Sequence, residues 1–388
     1  MNILITGANG FIGKNLVATL KNIRDKKDTS FAIDSEINIY ECTRDTDKEK
    51  LEMYCEKADF VYHLAGVNRP KYESEFMQGN GDFTKQLVSI LEEKNNCCPI
   101  VFSSSIQAEY DNAYGESKLY AEKVLEEYAL KNKTIVYIYR LFNVFGKWCK
   151  PNYNSVVATF CYNIARGIPI NINDENAKIR LIYIDDVVKS FITLLSEIHI
   201  ASTVTFEEVE PVYHVTVGEI ARLLQGFFAN RELCYLPETT KHSFSNCLYA
   251  TYLSYLPEDK FGYMPKMNVD NRGSFTELFK TISNGQVSVN ISKPGITKGE
   301  HWHHTKNEKF VVVSGTGLIQ LRKLDEVEII EYAVSGDKIE IIDIPPGYTH
   351  NIINQGKQDM VTIMWCNECF DAEKPDTYFL KVNEDDIV

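Results

Sequence analysis

The chain has 388 residues, 44% of them hydrophobic and 24% charged, with a formal net charge of −13. That is enough chain for two domains with cores of their own. The acidic balance speaks against nucleic acid and anionic membrane surfaces as general partners, and no apolar run approaches the roughly 18 residues of a membrane span.

The chain enters a strand at once, with no basic segment ahead of an apolar one, so no signal peptide is expected. The ten cysteines then read as free thiols in a reducing cytoplasm rather than as a disulfide framework. Asn2–Thr6, Ile37–Cys42, Phe60–Leu64, Ile100–Ser103 and Ile135–Arg140 are short runs rich in Ile, Val, Tyr and Phe, which predicts strands. Between them Phe11–Leu20, Glu73–Glu93 and Lys118–Leu130 carry helical periodicity, and the polar run Lys21–Ser30 reads as a surface loop. Alternating strands and helices predict βαβ units and a doubly wound parallel sheet. Around Tyr252–Lys266, Pro257, Gly262 and Pro265 interrupt any long element and mark a junction. Beyond it Gln286–Ile291, Lys309–Val313, Gly317–Leu324, Val327–Val334, Lys338–Asp343 and Met360–Trp365 are short β-rich segments parted by Gly, Pro and Asn. That pattern predicts an antiparallel barrel or sandwich. The expected organisation is an α/β domain over 1–255 and an all-β domain over 265–388.

Gly7, Gly10 and Gly13 stand in T-G-A-N-G-F-I-G, after the first strand and at the start of a helix. Glycines allow the tight turn and a close approach of backbone to a pyrophosphate, and the helix N-terminus offers free N–H groups to that anion. The second strand ends in Glu41-Cys-Thr-Arg44-Asp45. Thr43 and Arg44 favour the 2′-phosphate of NADP, whereas Glu41 and Asp45 leave NAD open. Tyr114 and Lys118 are one helical turn apart and face the same side. A neighbouring ammonium and the cofactor are expected to lower the phenol pKa and so to suit proton donation to a carbonyl that receives hydride. Ser103, Ser104 and Ser105 end the preceding strand. Ser105 is the expected hydroxyl partner of that carbonyl, with Ser104 as the alternative.

These residues resemble the extended short-chain dehydrogenase/reductase family that acts on nucleotide sugars. The likeness covers about residues 1–250. It includes His63-Leu64-Ala65-Gly66, Arg140-Leu-Phe-Asn143-Val-Phe-Gly146-Lys147 and Tyr183-Ile-Asp185-Asp186. It implies a Rossmann-type fold, catalytic Ser105, Tyr114 and Lys118, and an NADPH site formed by Gly7, Gly10, Phe11, Ile12, Gly13, Arg44, Leu64, Ala65, Tyr114 and Lys118. It also implies substrate contacts from Asn143 and Lys147. Only eight residues separate Ser105 from Tyr114, so a short loop is expected over the substrate.

Near the other end, Gly295, His301, His303, Glu308 and Gly315 follow G-x5-H-x-H-x4-E-x6-G, and Pro345, Gly347, His350 and Asn354 follow P-x-G-x2-H-x3-N. These are the two halves of the cupin motif and imply a jelly-roll. His301 and His303 alternate on one strand and point to one face. Imidazole and carboxylate suit Zn, Fe, Ni or Mn, so His301, His303, Glu308 and His350, or three of them, are the expected ligands of one divalent ion. Zinc is the first choice, because a redox-inert Lewis acid suits carbonyl chemistry. Cys366 and Cys369 form a lone C-x-x-C, read as two thiols at a strand end. Asp270-Asn-Arg272-Gly273-Ser-Phe275 resembles the opening of cupin-fold epimerases that invert carbons beside the keto group of deoxy-hexuloses, and that likeness makes Arg272 a substrate residue.

End to end, including Trp148–Ser155 and Tyr252–Pro257, the chain resembles the fused reductase–epimerases of capsular polysaccharide synthesis. The resemblance implies a UDP-2-acetamido-2,6-dideoxy-4-hexulose as substrate and a homodimer as assembly. The cupin half would epimerise C3. The reductase half would reduce C4 with NADPH to UDP-N-acetyl-6-deoxy-L-talosamine, on the route to UDP-N-acetyl-L-fucosamine. The alternative is a 4-epimerase or 4,6-dehydratase whose cupin is a structural dimerisation module. A dehydratase carries an acidic pair beside its hydroxyl residue, where this chain has Gln107 and Ala108.

Overall fold

Ile3, Leu4 and Ile5 are wholly buried in β1 (Asn2–Thr6), as expected of a central parallel strand covered on both faces. A computed structural model describes residues 1–33, 36–196 and 203–383. Its first sheet contains β1, β2 (Asn38–Cys42), β3 (Phe60–His63), β4 (Ile100–Ser105) and β5 (Val136–Leu141). β6 (Asn143–Phe145), β7 (Lys178–Tyr183) and β9 (Tyr213–Thr216) form a separate sheet in the order β6-β7-β9, and β8 (Val204–Glu207) returns to the first. The first sheet runs β2-β1-β3-β4-β5-β8, parallel throughout. This is the Rossmann-type doubly wound arrangement, and its ligand crevice lies beyond the C-terminal strand ends where the order reverses beside β1.

The helices place the site more sharply than periodicity does. α1 (Phe11–Arg24) runs four residues into the expected loop, and α2 (Lys48–Lys57) follows β2. The expected helix over 73–93 is interrupted: α3 (Ser74–Phe76) passes into a π-helical turn, Met77–Asp82, before α4 (Phe83–Glu93). α5 (Ala113–Asn132) starts five residues earlier than predicted, because the Asn112 side chain caps it by accepting the N–H of Gly115 at 2.9 Å. Tyr114 therefore sits in its first turn.

The all-β part contains β10 (Met267–Asp270), β11 (Gly273–Thr281), β12 (Gly285–Ser292), β13 (Thr297–Trp302), β14 (Glu308–Ser314) and β15 (Thr316–Lys323). It continues with β16 (Ile329–Ser335), β17 (Ile341–Ile344), β18 (Tyr348–Asn354), β19 (Met360–Cys366) and β20 (Tyr378–Phe379). They form two antiparallel sheets, β10-β11-β12-β19-β14-β17 and β16-β15-β18-β13-β20, the jelly-roll of a cupin. Phe310, Val312, Ile319, Leu321, Val334, Ile342, Ile344, Ile352 and Met360 make its apolar core. β13 and β18 escaped the apolar pattern because motif residues such as Lys298, Glu300, His350 and Asn351 replace the alternation.

The chain divides into two compact units, Met1–Leu224 with His242–Pro257, and Gln225–Lys241 with Glu258–Val388. This differs from a cut at 255–265 in one respect. Gln225–Lys241 groups with the second unit, where Cys234 and Leu236 exchange backbone hydrogen bonds with Lys280 at 2.8 Å. Helical periodicity runs unbroken through residue 225, so nothing local marks the change.

Candidate active sites

The glycine-rich turn is built by close backbone contacts. Gly7 has φ 70, and a Cβ there would lie 2.7 Å from the Ala65 nitrogen; at Gly13 it would lie 2.2 Å from the Gly7 carbonyl oxygen. Gly10 caps α1 without a side-chain bond, and the first turn carries no acidic residue. The leading N–H groups therefore stay available to an anion. Phe11 and Ile12 follow, half-buried, while Leu64 and Ala65 close the turn from the end of β3. His63 is structural. It is fully buried between the hydroxyls of Thr6 (2.7 Å) and Thr84 (2.8 Å), and burial lowers its pKa to about 3, with the nearby Lys118 charge adding to the shift. At the end of β2, Glu41 pairs with Lys21 at 2.7 Å. Arg44 is exposed and forms no ion pair among the described residues.

The three serines of β4 separate cleanly. Ser104 donates to the buried Glu122 carboxylate at 2.5 Å, and Arg140 completes that network with bonds of 3.1 and 2.7 Å. Ser105 accepts the N–H of Gln107 at 3.2 Å, and its hydroxyl is near enough to the Tyr114 phenol to act on its pKa. Lys118 is buried, donates to the Ser103 carbonyl at 2.9 Å and lies over the Phe102 ring. Burial brings its pKa down to about 8, against a smaller opposing effect of Glu122. In the chain by itself burial raises the Tyr114 pKa, Ser105 partly opposing, and the Lys118 ammonium is turned to a carbonyl; the lowering expected of lysine and cofactor together belongs to the complex.

The expected substrate residues each have a neighbour within the chain. Asn143 is exposed and donates to the Arg180 carbonyl at 3.3 Å. Lys147 pairs with Asp185, and Arg272 with Asp270 at 2.7 Å. Arg272 keeps Nη1 clear of the Asp270 pair, which is made by Nε and Nη2.

In the jelly-roll, His301 at the end of β13 stands opposite His350 in β18. His303 lies one residue past β13, and Glu308 opens β14 on the other sheet. One ligand atom from each of the four lies within 4.8 Å of the others. Glu308 Oε2 is 3.2 Å from His350 Nε2 and 3.6 Å from His303 Nε2, yet these three buried atoms have no hydrogen-bond partner of adequate geometry. Polar atoms left unpaired in a core are costly, and donors aimed at a common point fit a metal ion. His303 Nδ1 meets the Asp376 carbonyl at 2.6 Å, which can only accept. The Nδ1 proton thus leaves Nε2 as a lone pair for the ion. Burial and the neighbouring imidazoles lower the His301 pKa to about 4. His304 packs against Trp302 and Tyr378, away from the cluster. Cys366 ends β19 and, like Cys369, is a free thiol.

Two participants had no signal in the motifs. Asn80, in the π-helical turn, accepts from Val67 N at 2.7 Å and donates to Ser117 at 2.8 Å, bracing the strand end beside Lys118. Asp376 reaches His303 from 73 residues away. The Gly79-Asn80-Gly81 triplet was the only visible hint of the first.

A family model described as the NAD dependent epimerase/dehydratase family matches residues 3–203, and one described as the polysaccharide biosynthesis C-terminal domain matches residues 268–378. The chain belongs to the NAD dependent epimerase/dehydratase family. More particularly, it is 43% identical over 384 residues to the UDP-2-acetamido-2,6-beta-L-arabino-hexul-4-ose reductase of Pseudomonas aeruginosa, covering 99% of this chain and 100% of that one. The crystal structure of capsular polysaccharide assembling protein CapF from Staphylococcus aureus matches with a TM-score of 0.88 and 54% identity, over 98% of this chain and 100% of that one. UDP-glucose 4-epimerase from Thermotoga maritima, 20% identical with a TM-score of 0.53 over 66% of this chain and 98% of that one, shares the fold of the first unit alone.

Proposed function

We propose that this chain is a nucleotide-sugar reductase of capsular polysaccharide synthesis, acting on a UDP-2-acetamido-2,6-dideoxy-4-hexulose, and that its jelly-roll epimerises C3 of the same sugar. The product is UDP-N-acetyl-6-deoxy-L-talosamine. Full-length similarity to a UDP-hexulose reductase supports the substrate class. The observation that carries the reduction is the placement of Lys118, four residues on from Tyr114 in α5: a Cβ at Gly66 would lie 3.3 Å from its Nζ, next to the contact of Gly7 with Ala65.

Bound NADPH supplies the hydride. Tyr114, kept protonated by burial, gives its phenolic proton to the C4 oxygen as that oxygen gains charge. Ser105 hydrogen-bonds the same oxygen. Lys118, moored to the Ser103 carbonyl, places a fixed donor beside the cofactor site. NADPH is preferred over NADH because Glu41 is occupied by Lys21, which leaves Arg44 as the charged group for a 2′-phosphate.

His301, His303, Glu308 and His350 would hold the divalent ion, zinc on the chemistry of the donor set. When bound, it supplies Lewis acidity for carbonyl chemistry. The steps have a required order. The C4 ketone acidifies the C3 proton, and reduction removes that ketone, so inversion precedes reduction.

The test is incubation of the purified chain with NADPH and the UDP-4-keto sugar in D₂O, followed by NMR of the product. Deuterium at C3 with reduction at C4 is expected, and deuterium at C3 should also appear without NADPH. A reduced product carrying the original C3 proton and configuration would refute the epimerase assignment. Arg44→Ala should weaken NADPH far more than NADH; equal use of both by the unsubstituted chain refutes the cofactor choice.

A further inference from the structure

The segment Pro375–Val382 runs along the outer edge of the metal-binding strand, where β20 pairs with β13: His301 faces Phe379, and Trp302 faces Tyr378. One residue of this segment is devoted to the turn that carries His303. The Asp376 carboxylate accepts the backbone N–H groups of His304 (3.0 Å), Thr305 (2.9 Å) and Lys306 (3.0 Å), and the Thr305 hydroxyl at 2.9 Å. Three successive N–H groups converging on one anion form a nest, here filled by the chain itself. The Asp376 carbonyl accepts Nδ1–H of His303 at 2.6 Å. Lys306 closes the arrangement by donating from its ammonium to the Pro375 carbonyl. To do both tasks Asp376 adopts φ 40, a left-handed conformation that costs energy in most side chains and is tolerated best by Asn and Asp.

We infer that Asp376 is a positioning residue for the metal centre. Its carboxylate holds the 304–306 turn, and its carbonyl fixes the ring and tautomer of His303. The inference rests on the metal reading above. His303 lies past the end of β13, so its ring is oriented by this contact rather than by the ladder. Its Nε2 is buried without a hydrogen-bond partner, as a ligand nitrogen held ready should be. Groups that orient a ligating imidazole through its second nitrogen typically change metal affinity about 10–100-fold when removed.

The test uses the full chain. Asp376→Asn keeps the size and tolerates the same backbone region, but it removes the charge and sets amide hydrogens against the nest. Metal-free protein is titrated with Zn(II) in competition with a chromophoric chelator, and the Co(II) forms are compared by visible absorption. Zn(II) binding about 10–100-fold weaker, with an altered Co(II) ligand-field band, is the expected result. Arg322→Met is the control for mere loosening. It frees the carbonyls of Lys381 and Val382, which Arg322 holds at 2.9 Å, and leaves the 303–306 turn untouched. Its Zn(II) affinity should fall far less than that of Asp376→Asn, since Arg322 bonds neither His303 nor the 304–306 turn. Unchanged affinity in Asp376→Asn, or an equal loss in Arg322→Met, overturns the inference while the metal reading stands. An unsubstituted chain that takes up no stoichiometric Zn(II) sinks the metal reading and this inference with it.

Discussion

Ser104→Ala and Ser105→Ala should have opposite consequences, although the two hydroxyls are neighbours on one strand. Ser104 and Glu122 are 5% and 1% exposed, and their 2.5 Å bond ends on a carboxylate that also takes two bonds from Arg140. A hydrogen bond to a buried charged group is worth about 1.5–3 kcal/mol, and Ser104→Ala should lose that while sparing the ion pair. For a domain of this size the loss corresponds to a fall of about 3–12 °C in Tm. Turnover at lower temperature should be nearly unchanged. Ser105 has contacts to Gln107 and Tyr114, so its removal should cost about 1 kcal/mol or less in stability. It loses a donor to the developing charge on the C4 oxygen, which typically costs about 10²–10³ in kcat. NADPH oxidation with saturating UDP-4-keto sugar gives the rate, and thermal unfolding followed by circular dichroism gives the stability. The reasoning fails if Ser104→Ala abolishes turnover and Ser105→Ala preserves it.

Tyr114→Phe keeps the ring against Phe76 and removes only the proton donor. NADPH consumption should drop by about 10²–10⁴ with cofactor binding unchanged by fluorescence titration, and near-normal turnover would exclude Tyr114 as the acid. Simultaneous His301→Ala and His350→Ala substitution should eliminate stoichiometric metal from elemental analysis; metal retained in that variant places the ion elsewhere. His63, held near a pKa of 3 by burial, binds a proton at about 6.5 once unfolded. Between those values the unfolded chain takes up more protons, so its term is fully stabilising above pH 6.5. The term is lost as pH falls towards 3, up to about 5 kcal/mol. His63→Gln should flatten the pH dependence of unfolding across that window, and an identical slope in both proteins would contradict this assignment.

Much of this was written locally in the chain. Alternating apolar strands and amphipathic helices sufficed for the parallel sheet, since each strand is buried by its own neighbours in sequence. The spacing of Tyr114 and Lys118 put both on one face of α5, because helical geometry is the same wherever the helix lies. The histidine and glutamate spacings named all four members of the cluster that β13, β14 and β18 bring within 4.8 Å.

What the tertiary structure decided depends on register and on partners far away in sequence. The sequence preferred Ser105 but left Ser104 open, and the alternation of β4 decides it by turning Ser104 towards Glu122 and Ser105 to the opposite face. Burial of the Tyr114 phenol, which raises its pKa, is likewise invisible in the sequence, because desolvation depends on everything packed around it. The pairing of Lys147 with Asp185, 38 residues on, was likewise set by folding. Asp376 and Gln225–Lys241 carried no signal at all, since a contact made 73 residues away leaves no periodicity behind. Patterns at short range report secondary structure, whereas charge state, hydrogen-bond partner and unit membership are properties of the assembled core.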